Sequence, residues 1–346
     1  METNLRPQTL GEILDRTAQL YRENFLLFAG IAAVYAAVVL VLSLTQIGVS
    51  EVLRVLHWTQ ALKWVSVIFL VVLAPLMFIF AGAAVAANNR AVAWVHLGEP
   101  ATIASAYRSI LPRLGRYLWL MTIAAFMVWT PFVVVYGGYM GFITLYVTPK
   151  GLITQPGGHV DMQAAAVMGI VTLVFLLLAV PAGVYAVWMA LRYALAVPAA
   201  VVENLPARKA LKRSVELSKG ARGRLFVLAL LVVVIQVGLV LMTQLFFIIA
   251  TVKQHGLLPA WMRALQQIVG FATNSFIGPM YATGLTLFYY DQRVRKEGYD
   301  IEWMMQAAGL TVPEKLPDGA SESASELAAQ STPGEGPDRA ERDGQG

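Results

Sequence analysis

The sequence predicts an all-α protein, a six-span transmembrane helical bundle with amphipathic interfacial helices. Three observations predict this: the chain is 58% hydrophobic, only 14% of its residues are charged, and long apolar runs recur along it. A soluble globular domain is about 45–50% apolar, with about a quarter of its residues charged. Two soluble domains, which a length of 346 residues would otherwise allow, are therefore excluded.

Six runs are long enough to cross a bilayer, since about 20 mostly apolar residues span the ~30 Å hydrocarbon core. They are residues 25–49, 65–87, 118–147, 164–191, 225–252 and 268–290. Together they make residues 1–311 one membrane domain. The stretch 164–202 is longer than one crossing requires, so we expect a break near Pro181 or Pro198. It is either one tilted helix or a span followed by an interfacial segment.

An amphipathic elbow helix is predicted before spans one, three and five, at residues 9–24, 102–116 and 207–222. In the first elbow, apolar residues recur at three- and four-residue spacing, and polar residues fill the other face. Thr9 and Glu12 form the pattern of a capping box at its start. The three elbows suggest three repeats of elbow plus hairpin. The alternative is that any six-span protein with basic cytoplasmic loops has this layout.

Positive charge predicts the orientation, because Lys and Arg accumulate in cytoplasmic loops. If both termini are cytoplasmic, 20 of the 26 Lys and Arg residues lie on the cytoplasmic side. The expected location is the plasma or inner membrane, crossed several times. Basic residues beside spans attract anionic lipid headgroups, by on the order of 1 kcal/mol each. Because the basic charge follows the spans, we expect membrane lipids as partners and no nucleic acid.

Residues 312–346 differ in composition from the rest of the chain. They carry 3 basic and 8 acidic side chains among Pro, Ser, Ala and Gly, and too few apolar residues to form a core. We expect a disordered acidic cytoplasmic tail. The tail and the elbows are the candidate contacts for a protein partner.

The sequence carries no recognisable catalytic or metal-binding motif. It has no Cys, its four His residues are well separated, and HExxH, Walker-type and G-x-S-x-G patterns are absent. We therefore predict no enzyme, no cofactor and no metal. An intramembrane enzyme would have to assemble its site from scattered polar residues.

Polar residues within or beside apolar spans are the candidate interaction positions, because they are costly in lipid. They are Arg192, Glu203, Lys212, Arg213, Asn274, Asp291, Arg293 and Arg295. Arg192 and Glu203 are eleven residues apart, which places them on one helical face but ~16 Å apart along the axis. A straight helix could not pair them, whereas a break at Pro198 could. Alternatively, Arg192 extends to the headgroups.

Two further patterns leave alternatives open. The stretch 290–300 could dock onto the elbows, with Asp291, Glu297 and Asp300 pairing to residues such as Lys212 and Arg213, or it could be a solvated helix. Small residues at four-residue spacing, such as Gly82 with Ala86 and Gly137 with Gly141, permit close helix approach, within the bundle or between two copies.

Three stretches of the sequence form recognisable motifs. They are Arg6-Pro7 with Leu10-Gly11-Glu12-Ile13-Leu14-Asp15 and Leu20-Tyr21-Arg22 through Phe25; Glu203 with Ala210-Leu211-Lys212-Arg213-Ser214 and Leu217; and Tyr290-Asp291-Gln292-Arg293-Val294-Arg295-Lys296-Glu297-Gly298-Tyr299-Asp300. Together they resemble the glycerophosphoryl diester phosphodiesterase membrane domain-like family of prokaryotic polytopic membrane proteins. The resemblance implies a stand-alone six-span inner-membrane protein without the catalytic phosphodiesterase domain. It carries over no catalytic residues.

These features favour a non-enzymatic integral membrane protein that interacts with lipids or supports a membrane process. One alternative is a transporter or flippase of a lipid-like or amphipathic substrate, with Asn274 and Arg192 in its path. Another is a membrane scaffold or regulatory subunit that acts through the elbows and the tail.

Overall fold

The computed structural model describes residues 7–147, 162–253, 258–298, 301 and 305. Contacts divide the chain into a unit that ends at Glu297 and a second unit, residues 298–346. Of the second unit, only Gly298, Ile301 and Met305 are described, so the tail predicted at 312–346 lies outside the described residues.

Every regular element in the described residues is helical. The α-helices are α1 (Leu10–Glu23), α2 (Phe25–Val55), α3 (Thr59–Ile68), α4 (Ala74–His96), α5 (Ile103–Ile110), α6 (Leu114–Phe142), α7 (Met162–Tyr193), α8 (Ala196–Val202), α9 (Ala207–Ser218), α10 (Arg222–Lys253) and α11 (Ala260–Glu297). Two π-helical turns, Phe69–Leu73 and Ile143–Val147, and one 3-10 turn, Leu111–Arg113, connect or extend them.

Five helical stretches in this part of the chain are long and apolar enough to cross a membrane. They are Phe25–Val55, Ala74–His96, Ile103–Tyr146, Ala165–Val202 and Arg222–Lys253. Each overlaps one of the first five predicted spans. The sixth run, 268–290, lies within α11, whose polar residues, such as Gln267 and Asn274, lower its hydropathy.

Separate helices lie in the three predicted elbow segments: α1, α5 and α9. The second is shorter than expected, because α5 ends at Ile110 and residues 114–116 already belong to α6. Thr9 caps α1 in the predicted capping box: its hydroxyl accepts the Glu12 N–H at 3.3 Å, and the Glu12 carboxylate accepts the Thr9 N–H at 2.6 Å. This local prediction is confirmed. Thr102 caps α5 in the same way, with Ser105 in place of the glutamate. The threefold repeat itself stays a prediction.

The continuous apolar stretch before residue 203 breaks beside Pro198 and not at Pro181. Pro181 lies inside α7, which ends at Tyr193, and a turn at Ala194 and Leu195 leads into α8. Pro198 is the third residue of α8, in the first helical turn, where a missing N–H is tolerated. Most of α8 is buried in the bundle, so the second piece is a separate buried helix.

Small side chains allow α4 to lie close to α6. A Cβ added at Gly82 would come within 2.5 Å of the Leu118 side chain, whereas one added at Gly137 or Gly141 would meet nothing within 4 Å. Gly82 therefore serves packing within the bundle. The same core buries Phe28 of α2 and Tyr117 of α6.

Candidate functional site at the elbow end

The end of the bundle where α1, α9 and the last turns of α11 meet is called the elbow end. Charged residues cluster there because Lys219, Arg222 and Arg224 follow α9 and because the last turns of α11 carry both acidic and basic residues. Two ion-pair clusters result, one around Asp291 and one around Glu203.

The Asp291 cluster holds a nearly inaccessible carboxylate, with the side chain 1% exposed. Its oxygens lie 3.2 Å from the Arg224 guanidinium at the start of α10 and 3.0 Å from the Arg295 Nε. The backbone N–H of Gln8 donates to the same carboxylate at 2.8 Å. The Gln8 carbonyl in turn accepts from Arg224 at 2.8 Å and from Arg295 at 2.6 Å. The segment before α1 is thus fastened to both α10 and α11.

The Glu203 cluster joins the α8–α9 connection to α11. The Arg213 Nε donates to both Glu203 oxygens, at 2.9 and 3.1 Å, and the Tyr289 hydroxyl donates to one of them at 2.5 Å. Glu297 accepts from Arg213 at 2.7 Å and from the Arg293 Nε at 3.2 Å. Arg213 therefore bridges two carboxylates on different elements.

The protonation of this cluster follows from these contacts. Burial acts to lower the pKa of Arg213, but hydrogen bonds from Arg213 to Glu297 and Glu203 outweigh it and raise that pKa. Burial acts to raise the pKa of Glu297, but hydrogen bonds from Arg213 and Arg293 outweigh it and lower that pKa. Both charged forms are thus favoured in the folded protein.

Lys296 fastens the end of α9 to α11. Its ammonium donates to the carbonyls of Glu216 and Lys219, both at 2.7 Å, at the helix end where carbonyls lack intrahelical partners. Burial and the nearby charge of Lys219 lower the pKa of Lys296.

The predicted docking of residues 290–300 is right for Glu297, which pairs with Arg213, and wrong for the partner of Asp291. Six residues separate the two carboxylates, which turns them by ~240° about the α11 axis, so they face different neighbours. Asp291 meets Arg224, a residue that the sequence alone does not link to it. Lys212 is exposed, and Asp300 lies outside the described residues.

Arg192 does not pair with Glu203, which Arg213 and Tyr289 occupy. Its guanidinium carbon lies 5.6 Å from the centre of the Trp188 ring, and Arg222, from the start of α10, lies 5.7 Å from the same ring. The Ser214 hydroxyl of α9 donates to the Arg192 carbonyl at 2.9 Å. The sequence alone does not single out Arg222, because nothing local links it to Trp188.

Asn274 lies apart from the elbow-end clusters. Its side chain is exposed and donates to the Gly270 carbonyl of its own helix at 2.9 Å. It borders a cavity of about 110 Å³ between α2 and α11, which Tyr35 and Gln267 also line.

In the residues that the structure describes, no group of three or more acidic or His side chains could hold a metal ion. Comparison of the chain with protein-family models, with curated proteins and with solved structures gave no match. The family resemblance stated above therefore stays a prediction, and the site has to be interpreted from its own chemistry.

Proposed function

We propose that the chain is an integral, non-enzymatic membrane protein that binds anionic membrane lipids at its elbow end and supports a membrane process through that contact. The observation that carries the proposal is the outward face of α9. Its Arg208, Lys209 and Lys212 are exposed and form no ion pair with a described residue. Its opposite face, which includes Leu211 and Leu217, is buried against the bundle.

The exposed apolar surface supports membrane insertion. Along α10, Val234, Leu241 and Met242 are all exposed although the helix is apolar on every side. A helix with that pattern needs a core or a bilayer around it. Since α11 packs against α2, α4 and α10, we propose that it crosses with them as a sixth span.

The proposed orientation puts the elbow end in the cytoplasm of a plasma or inner membrane. Anionic lipids of the cytoplasmic leaflet then face the basic residues of α9, and each basic residue near the surface contributes about 1 kcal/mol. This arrangement matches the stand-alone membrane protein that the family resemblance implies.

Lipid release from the purified full chain tests the proposal. The chain is extracted from its own membrane, and native mass spectrometry identifies what stays bound. A triple variant, R208Q/K209Q/K212Q, should retain less anionic lipid than the unaltered chain. Lys253→Gln, an exposed lysine at the other end of α10, is the matched control and should change nothing. A bare protein mass for the unaltered chain contradicts lipid binding, and a retained protein subunit points to the scaffold alternative.

A transporter is the second candidate, and one observation favours it: the cavity beside Asn274. Its volume of about 110 Å³ is smaller than the roughly 300–1,000 Å³ of pockets that hold drug-sized ligands, so it ranks second. If the protein is a transporter with its substrate site at this cavity, Asn274→Ala should abolish substrate movement in proteoliposomes. Intact movement would rule out Asn274 as part of the site.

A further inference from the structure

We propose that Trp188, Arg192 and Arg222 bind the phosphate of one anionic glycerophospholipid, whose acyl chains lie along α7 and α10. This inference rests on the membrane association proposed above. The three residues, with Phe226 of α10, are called the α7–α10 seam. The outward cations of α9 attract the membrane surface in general, whereas the α7–α10 seam would hold one lipid.

Two positive charges lie against a single aromatic ring in the α7–α10 seam. Arg192 and Arg222 approach Trp188 at 5.6 and 5.7 Å from the ring centre. With these distances to one ring centre, the two guanidinium carbons lie at most about 11 Å apart, and an anion near both would offset the repulsion between their charges. No carboxylate in the described part of the chain lies within ion-pair distance of either guanidinium, whereas Arg213, Arg224 and Arg295 all have one.

Each of the two guanidiniums also has an unmet donor. The Nε atoms of Arg192 and Arg222 are shielded from solvent and have no hydrogen-bond acceptor among the described residues. A buried donor without an acceptor is costly. Because both Nε atoms are closed to water, a phosphate in the α7–α10 seam would be bound by the terminal nitrogens of the two guanidiniums. Phosphate suits the position because guanidinium groups bind it through paired hydrogen bonds.

The backbone at the start of α10 also favours an anion beside Arg222. Arg222 is the first residue of α10, whose N-terminus carries a partial positive charge that favours an anion. The backbone of Arg192 is fixed by Ser214 of α9, whose hydroxyl donates to its carbonyl. The two arginines therefore approach Trp188 from two different helices.

An exposed apolar stripe leads away from each arginine. On α7, Leu177 (71% exposed), Val184 (66% exposed) and Trp188 precede Arg192 at helical spacing. The distance from Leu177 to Arg192 is ~22 Å along the helix, longer than the ~15 Å depth of one leaflet. On α10, Phe226 follows Arg222 by one turn and is exposed as well. A charged head beside apolar stripes matches a phospholipid, whereas free phosphate would use the arginines alone.

The test uses the full chain in nanodiscs of phosphatidylcholine with phosphatidylglycerol as the anionic probe. Native mass spectrometry should find one tightly retained phosphatidylglycerol per protein beyond those that the α9 cations hold, and the occupancy of that one lipid should fall at least tenfold in R192Q/R222Q. R192K/R222K keeps both charges without the paired geometry and should fall between the two. Lys253→Gln is the control and should match the unaltered chain. If R192Q/R222Q does not fold, R192K/R222K and the single Gln variants, compared with the unaltered chain, decide the result.

Three outcomes separate the explanations. Equal retention by R192Q/R222Q overturns the α7–α10 seam as a lipid site, while loss in the triple variant of α9 would still uphold the proposed function. Equal retention by both variants overturns both proposals. If inorganic phosphate at millimolar concentration stabilises the protein against heat as much as phosphatidylglycerol does, the ligand is free phosphate and the lipid is wrong.

Discussion

Replacing Asp291 tests how strongly the elbow end is held together. Asp291→Asn removes a charge that Arg224, Arg295 and the Gln8 N–H all contact. Breaking a buried ion pair costs about 3–5 kcal/mol, but the two arginine side chains are 31% and 37% exposed, so water recovers part of that cost. We expect a loss of about 2–4 kcal/mol, since hydrogen bonds to charged groups contribute about 1.5–3 kcal/mol each.

Thermal unfolding in detergent measures this loss. At about 2 °C per kcal/mol for a chain of this size, the Tm should fall by about 4–8 °C. Limited proteolysis should also cut the segment around Gln8 faster, because an amide oxygen accepts the Gln8 N–H more weakly than the carboxylate does. Asp291→Arg should be worse, and adding Arg224→Asp should restore part of the Tm. Asp15→Asn, at an exposed carboxylate of α1, is the matched control. An Asp291→Asn variant that melts within 1 °C of the unaltered chain would refute the reasoning.

Two further predictions concern packing and pH. Gly82→Leu should destabilise the bundle by about 1–3 kcal/mol, since even a Cβ would meet the Leu118 side chain at 2.5 Å; Gly137→Leu should leave the Tm unchanged, and equal losses would contradict the packing argument. The lowered pKa of Glu297 contributes stability that is fully present above its ordinary value of 4.5 and is lost as pH falls through the lower folded value. Between pH 6 and pH 3, the Tm of Glu297→Gln should therefore fall less steeply than the Tm of the unaltered chain. An equally steep fall in the variant would show that other carboxylates cause the loss of stability in acid.

Local features of the elbow helices could be predicted because they depend on nearby residues. The capping box of Thr9 and Glu12 needs only a three-residue spacing, and the helical class follows from apolar runs and periodicity. The break beside Pro198 was one of two expected positions. Sequence could not choose between Pro198 and Pro181, because a proline in an apolar helix is tolerated where packing satisfies the freed backbone groups.

The elbow-end contacts could be predicted only in part. Alternating charges after residue 290 indicated docking, and Glu297 does meet Arg213. The partner of Asp291 lies 67 residues away at Arg224, and its second contact is Gln8, 283 residues away. Residue spacing cannot predict contacts at such sequence separations, because they depend on which helix faces pack against each other.

The sequence by itself determined that the regular elements of the described residues are helical, where the first five of the six predicted spans lie, and where basic charge accumulates. Those properties follow from composition and short-range periodicity, which act residue by residue along the chain. Only the tertiary structure decided that Asp291 clamps the segment before α1 and that Arg192 shares Trp188 with Arg222. Packing brings distant elements together there, and burial then makes each charge depend on the neighbours that the fold supplies.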